Sequence, residues 1–150
     1  MVRKSKHIVA ELFFQRQKNQ EDGCCICAIN NILEKTALSE KEFNALCYEF
    51  DKLYMCKGTS QFFFIESDTN IIQFVLAKFN ISSTYYAPGS IKSLDELLEI
   101  KTKFLVFSSE HIWCYRKHAN IWYRFDSMHR TPTRLNLKNL SAKLGFIVID

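Results

Sequence analysis

A chain of 150 residues with 47% hydrophobic content, only 4 Gly and 2 Pro is long enough to bury one core and too apolar for an extended disordered protein. The net charge of +4 comes from Lys and Arg interleaved with Asp and Glu, so no concentrated basic face marks a nucleic-acid binder. No apolar run approaches a membrane span and no leader follows the basic start at residues 1–6, so neither a nucleic-acid nor a membrane partner is expected.

The first helix is predicted from Cys24 to about Leu33, with Ala28, Ile29, Ile32 and Leu33 on its buried face. A second opens on a capping box, Ser39 with Glu42, with Leu38 in the staple position. Phe43, Leu46, Cys47, Phe50 and Leu53 recur along it at helical spacing, and Gly58 ends that region. Phe62-Phe63-Phe64-Ile65 is a bulky apolar run that reads as core, or as a partner patch where exposed. A third helix starts near Asp68 or Thr69 with Ile72, Val75, Leu76 and Phe79 inward, and Ser93 with Glu96 opens a short fourth.

Strand signals fill the second half. Residues 83–86 form a short strand closed by Pro88-Gly89, and 104–107 is a continuous apolar run, as in a buried strand. Residues 112–116 and 122–125 flank a hairpin turn at Lys117-His118-Ala119-Asn120. A small helix is expected near 137–144, stopped by Gly145 as C-cap, before a last strand at 146–149. Helices followed by a mostly antiparallel sheet make the chain α+β, one domain over 1–150.

Six Cys invite a disulfide scaffold, but Cys24, Cys25 and Cys27 are too crowded for a framework. The chain therefore reads as reduced and cytoplasmic, and the Asn80-Ile81-Ser82 and Asn139-Leu140-Ser141 sequons as chance matches. Cys24 and Cys27 have the spacing of a zinc knuckle, yet no second well-spaced pair follows, so neither a metal nor another cofactor is expected.

The chemistry lies in three places. Cys24 follows Gly23 at the head of the first helix, where unpaired amides and the helix dipole favour a thiolate. His111 begins one strand and Asp126 ends the next, so a hairpin would bring them together. An imidazole can take the thiol proton and return it to a leaving amine, and a carboxylate fixes its tautomer. Gln17 and Gln20, upstream of the Cys, could donate to an oxyanion.

Plainer roles exist for each. Cys24 could be a small buried hydrophobe, as Cys47, Cys56 and Cys114 are expected to be; Cys25 is a second candidate nucleophile, and Cys27 reads as structural. His111 could be a strand-edge residue, Asp126 a turn cap, and His7, His118 and His129 surface or loop residues. Asn30-Asn31 is unusual inside an apolar helix and reads as a buried hydrogen bond tying that helix to the sheet.

The same residues resemble a family, the Josephin domains: papain-like deubiquitinating cysteine proteases. Leu12-Phe13-Phe14-Gln15-Arg16-Gln17 resembles the opening segment that ends in the oxyanion Gln. Cys24 to Leu33 resembles the nucleophile helix, whose signature is Asn-Asn six residues after the Cys; Asn30 stands six after Cys24, which selects Cys24 over Cys25. Glu110-His111-Ile112-Trp113 resembles the Glu-His-Trp block, and Trp122-Tyr123-Arg124-Phe125-Asp126-Ser127 the strand that ends in the third triad member. The chain departs from the pattern at Cys25, usually Ala, at Cys27, usually His, and in about two extra residues between Gln17 and Cys24.

The resemblance implies a papain-like fold with a helical arm from Ser39 to about Phe79. It implies a deubiquitinase in which Cys24 attacks, His111 is base and then acid, Asp126 orients His111, and Gln17 or Gln20 stabilises the oxyanion. Its partners would be ubiquitin or a ubiquitin-like protein and their conjugates, met as a monomer in the cytoplasm, or in the host cytosol for a pathogen effector or viral protein. Glu66, Asp68 and Glu110 would meet the basic ubiquitin tail. The competing readings are a catalytically inactive ubiquitin- or protein-binding module, and a papain-like peptidase or amidase on a non-ubiquitin substrate.

Overall fold

The computed structural model describes residues 12–17, 23–54, 69–90, 94–108, 111–136 and 144–150. Among them are four helices, α1 (Cys24–Leu33), α2 (Glu40–Tyr54), α3 (Thr69–Lys78) and α4 (Leu94–Ile100). Six strands accompany them: β1 (Ser83–Tyr86), β2 (Lys103–Phe107), β3 (Ile112–His118), β4 (Ile121–Phe125), β5 (Thr133–Arg134) and β6 (Gly145–Ile149). They form one sheet in the order β1-β6-β2-β3-β4-β5, every pair antiparallel, and the class is α+β as the sequence indicates. No helix among the described residues is long and apolar enough to cross a membrane.

The central strands of the sheet are buried on both faces. Leu105, Phe107, Ile112, Cys114, Tyr123, Phe125 and Ile147 pack with α1, α2 and α3, while Phe104, Val106, Trp113, Tyr115, Trp122, Phe146 and Val148 pack with Leu98 of α4. Successive strand side chains point to opposite faces, so a strand covered on both sides must be apolar at every position; hence the unbroken Phe-Leu-Val-Phe of β2. Trp122 donates its indole N–H to the Leu98 carbonyl at 3.3 Å, fixing α4 to that second face.

Ser39 caps α2: its hydroxyl accepts from the Glu42 N–H and donates to the Glu42 carboxylate, both at 3.1 Å. The carboxylate meets the hydroxyl rather than the Ser39 backbone, a variant of the expected box. Leu53, expected inward, is 61% exposed. It lies six residues past Cys47, which at about 100° per residue carries it roughly 120° off the buried stripe. Phe50 holds that stripe instead, its ring 5.5 Å from that of Phe74 in α3.

The hairpin is tighter than expected. β3 runs on to His118, and only Ala119 and Asn120 turn, both with positive φ (49° and 64°), the conformation of a two-residue turn that matches strand twist. β5 is too short to be seen from sequence. The region near Gly58, the 62–65 run, Cys56, the Ser93 cap, and the helix expected before residue 144 lie outside the described residues, as do Glu66, Asp68 and Glu110.

Gly145 is not read as a C-cap here; it is the first residue of β6, opposite Phe107 in the ladder. A Cβ at this position would lie 2.3 Å from the Phe107 ring, which is itself 1% exposed and cannot swing away. Gly145→Ala is therefore expected to cost about 2 kcal/mol and to lower the melting temperature by roughly 5 °C. Phe107→Leu in the same chain should recover part of the loss.

Candidate active site

α1 sits against β2 and β3 with Cys24 at its N-terminus. Gly23 precedes it with φ 97°, a left-handed conformation that a side chain strains. No side chain caps this helix end, and the first intrahelical bond runs from the Cys27 N–H to the Gly23 carbonyl at 2.8 Å. The amides of the first turn are thus left to serve an anion beside Cys24.

The far end of α1 is held by two cations from the sheet. Arg116 of β3, 3% exposed, donates to the Asn31 carbonyl and, at 3.1 Å, to the Phe13 carbonyl, with its guanidinium 3.8 Å over the Phe125 ring. Lys103 of β2 donates to the Ile32 carbonyl at 3.1 Å and pairs with Glu34 at 2.9 Å. Cations on C-terminal carbonyls complement the helix dipole and satisfy groups the helix leaves open.

Asn30 and Asn31, both fully buried, fix what lies beside the helix. Asn30 Oδ1 accepts from the Ala37 and Leu38 N–H groups at 3.1 and 2.8 Å, and its Nδ2 donates to the Leu38 carbonyl at 2.9 Å and Gln15 Oε1 at 2.8 Å. Asn31 Oδ1 accepts from the Gln15 N–H at 2.7 Å, and its Nδ2 donates to the Gln15 carbonyl at 3.2 Å. The pair binds the 37–38 loop and the extended 12–17 segment, whereas the sequence pointed to the sheet.

His111 and Asp126 meet as expected. His111 Nε2 lies 2.7 Å from Asp126 Oδ1. Hydrogen bonds with Asp126 and then Cys24 raise the His111 pKa from 6.5 to about 9, against a smaller opposing effect of burial. With that pKa, the Nε2–H donates to the Asp126 carboxylate at neutral pH. Burial pushes the Asp126 carboxyl up, but His111, the Met128 N–H and Arg124 outweigh it and hold the acid well below the usual carboxylate range. Met128 N–H donates to Oδ1 at 3.0 Å and Arg124 to Oδ2 at 2.7 Å. Asp126 is therefore both a turn cap and the partner of His111; the two roles are one geometry.

Gln17 also reaches this cluster. Its N–H donates to the Ser127 carbonyl at 3.0 Å, and its Oε1 accepts from the Ser127 hydroxyl at 2.9 Å. Gln20 lies outside the described residues. Cys25, the second candidate nucleophile, is 5% exposed among core side chains, and burial pushes its thiol well above the ordinary value. One residue along a helix turns a side chain by about 100°, so Cys24 and Cys25 cannot both face the histidine. Cys27 is 4% exposed and close to Gln15. Cys47 and Cys114 are buried, and His118 is exposed. His129, read as a surface or loop residue, is exposed, with Nε2 3.8 Å from Asp126 Oδ2.

Four contributors were given no role from the sequence. Arg124 sits two residues before Asp126, on the same side of the strand, and that alternation could have marked it. Trp113, two residues after His111, stacks on its ring at 5.7 Å, with Arg124 over the indole at 4.6 Å. Ser127 and Arg116 carried no local signal. Among the described residues no group of three or more His, Cys, Asp or Glu could hold a metal ion. No protein-family model matches the sequence, and neither does any curated protein.

Proposed function

We propose that the chain is a thiol hydrolase with a papain-like, Josephin-type arrangement, acting on the (iso)peptide bond at the C-terminus of ubiquitin or a ubiquitin-like protein. The observation that carries the reaction class is His111 held between buried Asp126 and Cys24, the thiol standing at an uncapped helix N-terminus. The substrate rests on the motif resemblance alone: the Asn30-Asn31 register, the His111 block and the strand that ends at Asp126.

The chemistry is acyl transfer. Cys24 Sγ, as thiolate, attacks the scissile carbonyl; its electron pair forms the S–C bond and the carbonyl π pair moves to oxygen. First-turn amides and the Gln17 side chain are the donors offered to that oxyanion. The intermediate collapses as the C–N bond breaks, and the His111 imidazolium gives its proton to the departing amine. Neutral His111 then deprotonates a water that hydrolyses the thioester. Asp126 keeps Nε2 engaged throughout, so Nδ1 faces the sulfur.

The test is intact-mass analysis after reaction with a ubiquitin bearing a C-terminal electrophile, for the wild type, Cys24→Ala and Cys25→Ala. One adduct, lost only in Cys24→Ala, is the expected result. Loss only in Cys25→Ala would overturn the nucleophile assignment. No adduct in the wild type, with Cys24 still acylated by small esters, would remove ubiquitin and leave a peptidase or amidase on another substrate. An unreactive Cys24 would leave a protein-binding module.

A further inference from the structure

Ser127 has no role in the chemistry above, yet it is 3% exposed and makes two bonds to one residue, Gln17. The two bonds do different things. The backbone bond from the Gln17 N–H to the Ser127 carbonyl, 3.0 Å, anchors the end of the 12–17 segment. That segment is also clamped at Gln15 by Asn31, so its path does not depend on the Ser127 hydroxyl. The side-chain bond, 2.9 Å from Oγ to Oε1, acts only on the Gln17 amide. A primary amide is planar, with acceptor oxygen on one side and two N–H donors on the other. Tying down its oxygen fixes where its donors point. A glutamine side chain otherwise turns about several bonds, and a donor that must be oriented in each turnover stabilises an oxyanion poorly.

We propose that Ser127 is a positioning residue: its hydroxyl holds Gln17 Oε1 so that Gln17 Nε2 stays aimed at the oxyanion formed on the Cys24 adduct. This rests on the thiol-hydrolase reading and adds a residue to it. Position matters here. Ser127 follows Asp126 directly, so one turn sets both the carboxylate that orients His111 and the hydroxyl that orients Gln17. The same backbone fixes the proton carrier and the oxyanion donor.

The test compares two reactions of Cys24 that differ in whether an oxyanion forms. Acylation by p-nitrophenyl acetate passes through one: the S–C bond forms, negative charge builds on the carbonyl oxygen, and p-nitrophenolate leaves without needing a proton. Alkylation by iodoacetamide does not: sulfur displaces iodide at a saturated carbon. Each rate is taken as the part lost in Cys24→Ala. Ser127→Ala is expected to slow acylation about tenfold, less than the loss for deleting a donor outright. Alkylation and its pH profile should stay as in the wild type. In a Gln17→Ala background, Ser127→Ala should have no further effect on acylation.

An equal loss in alkylation, or a shifted alkylation pH profile, would show Ser127 acting on the Asp126–His111 pair and overturn the proposal. Independent losses in the two single variants that multiply in the double would also overturn it. Neither ester nor iodoacetamide involves ubiquitin, so a wrong substrate assignment leaves this result standing. Absence of any Cys24-dependent acylation in the wild type would overturn the thiol-hydrolase reading and this inference with it.

Discussion

Under the proposed mechanism, Asp126→Ala should reduce acyl-transfer activity by about 10⁴-fold, the loss that follows when a catalytic imidazole loses its orienting carboxylate. Its carboxylate is the main cause of the raised His111 pKa, so the variant's imidazolium should lose its proton at lower pH. In the proposed mechanism the departing amine takes that proton, and the alkaline limb of kcat/KM should fall near pH 9. In Asp126→Ala that limb moves toward the ordinary histidine value near 6.5. A limb that stays near 9 would mean the carboxylate does not control the histidine. Asp126→Asn should lose less than Asp126→Ala, because a Cys-His-Asn set also supports thiol catalysis. Its amide oxygen can still accept from the Met128 N–H and His111 Nε2, but the amide nitrogen then meets the Arg124 guanidinium, donor against donor.

The same pair links stability to pH. A folded-state pKa of about 9 against 6.5 unfolded means that His111 stabilises the fold fully below pH 6.5 and loses that contribution as pH rises through 9. The size is on the order of 3 kcal/mol. Asp126 has the opposite sense: its folded pKa is depressed, so its contribution is present above the unfolded value and disappears as acid protonates the folded carboxylate. Thermal melts of the wild type should therefore decline between pH 6.5 and 9, and those of Asp126→Ala should decline less there.

What the sequence disclosed follows from the range of its signals. Helical spacing and caps act over three or four residues, and they placed α1, the Ser39 start of α2, and α3 near Thr69. Hairpin logic is also local, and it joined His111 to Asp126 across fifteen positions. The Cys24 register came from a pattern match to Asn30, and burial of Cys25 in the core is in keeping with it. Arg116 was invisible because its partners, Asn31 and Phe13, lie 85 and 103 positions away, and nothing near Arg116 in sequence marks it as buried. The partner of Ser127 was invisible for the same reason, since Gln17 lies 110 positions away. Leu53 shows the other failure: an apolar residue close to the right spacing is assigned to a stripe that the helix has already rotated away from.

Asn30→Ala is the substitution expected to damage the fold most, by about 3 to 5 kcal/mol. The residue is 0% exposed and its amide makes four hydrogen bonds. Three of the partners are backbone groups of Ala37 and Leu38 at the entry to α2, and water cannot replace a buried amide there without room. The fourth, Gln15 Oε1, belongs to the segment that carries Gln17. Truncation would leave buried donors and acceptors unpaired, and each costs on the order of 1 to 3 kcal/mol. Asn30→Asp should rank between Ala and wild type. The carboxylate keeps the acceptor for the Ala37 and Leu38 N–H groups but cannot donate to the Leu38 carbonyl or Gln15 Oε1, and it carries a buried charge. Denaturant melts of the three proteins would check this order. An Asn30→Ala protein as stable as wild type would show that the Asn-Asn pair is kept for something other than holding this corner together.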